Sequence, residues 1–369
     1  MADPTIQTFC CHPPNRSSSN VNVLIEFHSD TYNTICLVSS IFGIIGAIYQ
    51  ILPRRNLNME NRQFDFSSVR GRNIIIWLAV ADLLAALGVF VRSFLWMNYK
   101  RFVPAISDSI GSIIFCAVSS AWIQYFYMAT WFWTLCYAID MWRMMKAQRQ
   151  MKTDSDHAVC YHLTSWFCPA ILTLSGLVVL YVPNANCHNL NTMKGVLLHI
   201  LPNYCVTFLP MVVIMIVNPV LYYLSSRDVE FNIAIMNGQY TQRERNTVDA
   251  IKMKFFFFTL VFYMCWIPNL LCGILLWSLW IELPRNIIIM LWYFMAVMNP
   301  LQALLNSIVY RKWSSPQEVY IPCLEWRCSS SPLQESSHST TTTSGENTPL
   351  LQSHEERLQN PAISINGSS

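Results

Sequence analysis

The sequence predicts an all-α membrane protein: a seven-transmembrane helix bundle with its N-terminus outside or lumenal and its C-terminus in the cytoplasm. Three observations predict it. The 369 residues are 53% hydrophobic and only 12% charged, whereas soluble domains carry about 25% charged residues. Seven apolar runs are each long enough for a bilayer core of about 30 Å, which needs about 20 helical residues. Lysines and arginines crowd the segments on one side of those runs.

The same arithmetic excludes an ordinary soluble enzyme and a disordered chain. The net charge of +3 is too small for nucleic-acid binding. Thirteen Trp, 16 Tyr and 20 Phe suit prolonged contact with membrane lipid.

Residues 1–30 are polar, with Pro13, Pro14 and Ser17–Ser19, and read as a short outer or lumenal segment without a cleaved signal peptide. The runs that follow are Thr31–Leu52, Asn73–Phe90, Gly111–Asp140, His157–Tyr181, Leu197–Leu224, Lys254–Trp280 and Asn286–Tyr310. They are continuous rather than alternating, which favours helices over barrel strands. Pro202, Pro210, Pro219, Pro268 and Pro300 fall within them, tolerated where neighbouring helices satisfy the released backbone groups. The membrane domain is thus 31–312. Residues 313–369 form a Ser/Thr-rich tail too polar to bury a core and expected to be disordered. With the N-terminus outside, 18 basic residues fall inside and 6, including Arg92, outside.

Ionisable residues within a membrane are unfavourable and usually functional. Asp82 has no charged residue within nine positions on either side. It reads as an ion or proton site biasing two helix packings, or as a carboxyl held structurally by a group such as Asn299. Asp140 ends the third run three residues before Arg143 and could pair with a base at the inner face. Cys265-Trp266-Ile267-Pro268 places a large indole beside a proline bend, and Asn299-Pro300 makes a second weakened point. These seven positions, Asp82, Asp140, Arg143, Trp266, Pro268, Asn299 and Pro300, form the candidate switch. Gln124 and Tyr127 share a helix face and, with Asn269 and Tyr293, are candidates to line a ligand pocket. The third run is unusually aromatic, so some of its rings are expected to face lipid.

Most of the 13 cysteines lie in apolar runs, where a thiol behaves as a small hydrophobe. Cys116 opens the third run and Cys187 lies in an outer loop; a bridge between them would clamp that loop over the bundle. Asn15-Arg16-Ser17 is an outer glycosylation sequon. In the tail, Glu346, Leu350 and Leu351 match an acidic dileucine signal read by vesicle-sorting adaptors. No phosphate loop, zinc pattern or nucleophile elbow is present, so no metal, cofactor or enzymatic activity is expected. The absence of lysine from the seventh run excludes a retinal Schiff base.

Seven runs with Asp82, Cys116, Cys187, Trp266, Pro268, Asn299 and Pro300 in these places resemble a G-protein-coupled receptor. Three strings resemble more specifically the ocular albinism type 1 family of melanosomal receptors. They are Ser120-Ala121-Trp122-Ile123-Gln124, Phe132-Trp133-Thr134-Leu135-Cys136-Tyr137-Ala138-Ile139-Asp140 and Tyr240-Thr241-Gln242-Arg243-Glu244-Arg245. Asp140-Met141-Trp142 replaces the usual receptor triplet Asp-Arg-Tyr, as this family does. The resemblance implies a multi-pass receptor of melanosomal or endolysosomal membranes, present also at the plasma membrane. It would sense a small melanin-pathway molecule such as tyrosine or L-DOPA, couple to a heterotrimeric G protein and arrestin, and control melanosome biogenesis or transport. The alternative is a seven-helix transporter or channel using Asp82 for ion coupling.

Overall fold

The computed structural model describes residues 28–52, 54–56, 62–98, 110–150, 158–181, 193–235, 242–278, 285–312 and 317–319. Seven helices account for nearly all of them. These are α1 Ser29–Ile51, α2 Arg62–Asn98, α3 Ile110–Gln150, α4 Ala158–Tyr181, α5 Met193–Ile235, α6 Gln242–Ser278 and α7 Arg285–Lys312. The sequence reading contained no strand, but Arg54–Asn56 (β1) pairs antiparallel with Gln317–Val319 (β2), Arg55 opposite Glu318. The chain divides after Ile321, and residues 322–369 lie outside those described.

Each helix packs on its sequence neighbours, and α7 returns to α1 and α2, closing a ring. The helix α3 touches α2, α4, α5 and α6. Its 41 residues would extend about 60 Å at 1.5 Å per residue, well past a bilayer core. Its central position explains its aromatics. Trp131, Trp133, Tyr127 and Tyr137 are all buried, and only Trp122 turns substantially outward. Some of these rings were expected to face lipid, and Trp122 is exposed; composition does not show which, because it does not distinguish a ring against lipid from a ring against a neighbouring helix.

Among the described residues, five helices are long and apolar enough to cross a membrane, through Ser29–Ile51, Gly71–Asn98, Tyr204–Arg227, Lys252–Leu275 and Asn286–Tyr310. The buried α3 carries Gln124, Thr130 and Thr134 inward. In α4, Tyr161, Ser165 and Thr173 face the core, while Val159, Leu163, Phe167, Ile171 and Leu174 form an exposed stripe at helical spacing.

Packing between α1 and α7 is close enough to exclude side chains. A Cβ on Gly43 would collide with the carbonyl oxygen of Pro300, and one on Gly46 with the Cα of Leu304. Small residues let membrane helices approach backbone to backbone in this way. Pro300 has no N–H, so the Ala296 carbonyl, four residues earlier, loses its helical donor. Ser39 Oγ of α1 lies 2.8 Å from that oxygen, the shortest of the three carbonyl contacts within its reach. Seven described cysteines, Cys36, Cys136, Cys160, Cys168, Cys205, Cys265 and Cys272, are not disulfide-bonded.

Candidate functional site

The polar centre of the bundle is built on Asp82. Its carboxylate is buried, 3% exposed, in the middle of α2. Such a group requires hydrogen-bond donors, and α7 supplies two. Asn306 Nδ2 donates to Oδ2 at 2.9 Å and Gln302 Nε2 donates to Oδ1 at 3.3 Å. Their i, i+4 spacing places both amides on one face of α7. Gln302 also accepts, through Oε1, the indole N–H of Trp266 at 2.8 Å. One side chain of α7 therefore joins the α6 indole to the α2 acid. Trp266 is fully buried and packs edge-on against Trp131 at 4.7 Å and Tyr127 at 5.2 Å, both from α3.

The expected contact of Asn299 with Asp82 is not made. Asn299 lies seven residues, about 10 Å along the helix, from Asn306, and pairs instead with Asn269, the residue after Pro268. Asn269 Nδ2 donates to Asn299 Oδ1 at 3.0 Å and to the Cys265 carbonyl at 3.1 Å. Two layers result: an Asn269–Asn299 pair and, deeper along α7, the Asp82–Gln302–Asn306 cluster. Gln302 and Asn306 were not read as functional in the sequence. The available signal was two amides at i, i+4 in an apolar run, with Tyr310 four residues after Asn306. Tyr310 is buried, with Lys254 Nζ 5.0 Å from its ring centroid.

The candidate pocket residues do not form one group. Gln124 is buried and donates to Thr207 Oγ1 of α5 at 2.9 Å, and Tyr127 faces α6. Tyr293 Oη instead contacts the His28 carbonyl at 3.5 Å, at the start of α1. Asp140 is buried, and Tyr161 of α4 donates to its Oδ1 at 3.4 Å; Arg143 is half-buried one turn on. Arg92, assigned from sequence to an outer segment, lies inside α2 and is only 5% exposed, because the helix continues to Asn98. The Cys116 side chain and residues Cys187, Asn15, Glu346, Leu350 and Leu351 lie outside those described.

A ring of seven helices, with a buried acid and a buried indole joined across it, is the architecture of a receptor-like multi-pass membrane protein. The family model described as "Ocular albinism type 1 protein" matches residues 1–365, and the chain belongs to that family. It is 28% identical over 327 residues to human "G-protein coupled receptor 143", covering 85% of this chain and 78% of that protein.

Proposed function

We propose that the chain is a G-protein-coupled receptor sensing a small melanin-pathway molecule, such as tyrosine or L-DOPA, on its outer or lumenal side. It signals through a heterotrimeric G protein to control melanosome biogenesis or transport. The observation that carries this reading is the hydrogen-bonded chain Trp266–Gln302–Asp82–Asn306, which makes the packing of three helices interdependent. A ligand that prefers one packing shifts the population by its differential affinity and no further.

The orientation follows the basic-residue bias and places the N-terminus outside and the C-terminus in the cytoplasm. A Cys116–Cys187 bridge, a glycan on Asn15 and adaptor recognition of Glu346, Leu350 and Leu351 complete the reading, with melanosomal or endolysosomal residence.

The test uses full-length protein reconstituted with a purified G protein. L-DOPA or tyrosine should accelerate nucleotide exchange. Substrate flux without any effect on exchange would replace the receptor with a transporter.

A further inference from the structure

Pro219 lies in the middle of α5 and removes the N–H that would bond to the Met215 carbonyl. That oxygen is satisfied by another helix: the hydroxyl of Tyr263, on α6, donates to it. One residue before the proline, Asn218 is completely buried on the same stripe as Met211, Ile214 and Met215. Neither its Nδ2 nor its Oδ1 has a hydrogen-bond partner. A carboxamide offers two donors and an acceptor with two lone pairs, and burying all of them unsatisfied is strongly unfavourable. Tyr263 lies three residues from Trp266 and is its neighbour on the surface of α6. Displacement of the indole would therefore reach the tyrosine directly.

We infer that Asn218, Pro219 and Tyr263 form a latch between two packings of α5 and α6. Tyr263 holds α6 against α5 in the packing described, through the carbonyl that Pro219 releases. The amide of Asn218 gains its hydrogen bonds only in the alternative packing, when α6 has left that position. The two side chains therefore act as positioning residues of opposite sign. This inference rests on the reading of the chain as a receptor that switches between two helix packings.

The full-length chain in lipid nanodiscs tests it. Spectroscopic labels introduced as noncanonical amino acids at the exposed positions Arg227 and Met253 leave all 13 cysteines in place and report the α5–α6 distance. Tyr263→Phe should raise the ratio of long to short distances about fivefold, the factor for one net hydrogen bond. Asn218→Leu, nearly isosteric, should lower that ratio by a similar factor. Pro219→Ala restores the backbone donor, so adding Tyr263→Phe to it should change almost nothing. The latch is overturned by an unchanged distribution in Tyr263→Phe, by both single variants moving the same way, or by an undiminished Tyr263→Phe effect beside Pro219→Ala. The distance needs no G protein. Distance shifts without nucleotide exchange would sink the signalling role and leave the latch standing.

Discussion

The two sides of the bundle are built from different materials. On one side, α1 meets α7 across Ser39, Gly43 and Gly46, with backbone against backbone. On the other, α5 meets α6 through long side chains: Tyr222 is edge-on to Phe255 at 5.4 Å, and Tyr263 reaches the Met215 carbonyl. Backbone contact fixes one separation, because nothing at the seam can rotate. Side-chain contact allows several, because rotamers can exchange. The difference separates a frame, formed by α1, α2 and α7, from a wall joined by side-chain contacts, formed by α5 and α6. The cluster at Asp82 belongs to the frame, and Gln302 connects it to Trp266 in the wall.

The largest expected effect comes from forcing the frame apart. Gly46→Leu drives a branched side chain into the backbone of Leu304 and should lower stability by about 3 kcal/mol or more. Thermal unfolding, or the monodisperse fraction after extraction, should show it. Cutting the link between frame and wall comes next. Gln302→Leu leaves the Trp266 N–H without its acceptor and removes one donor from Asp82. Stability should fall by about 1–3 kcal/mol, and ligand-dependent nucleotide exchange should weaken while ligand binding persists. The smallest effect belongs to the wall. An added Cβ on Gly273 meets only the ring of Phe208, which can turn aside, so Gly273→Ala should change stability by less than about 1 kcal/mol. Equal losses for Gly46→Leu and Gly273→Ala would abolish the distinction between the two sides.

Asp82 and Trp266 were legible in the sequence because each is an anomaly within its own segment, a charge in an apolar run and an indole beside a proline. Their partners were not. Whether Asn299, Gln302 or Asn306 faces Asp82 depends on the phase and depth of α7 against α2, a tertiary relation that the sequence of either helix does not contain. Arg92 was misplaced for a related reason. Its charge marked the end of an apolar run, whereas burial lets the helix continue past a cation. The aromatic residues of α3 indicated a membrane helix, but only its contacts with four neighbours showed that they fill the interior.

The Ser39–Ala296 contact also makes the effect of a mutation depend on the background in which it arises. A proline at position 300 is tolerated while residue 39 can present a hydroxyl to the carbonyl it strands. A chain with alanine at 300 would have its own N–H to offer and could lose Ser39 at little penalty. The order of substitution then matters: serine before proline passes through sound intermediates, and proline before serine does not. Two positions 261 residues apart in sequence are thereby coupled through a single carbonyl.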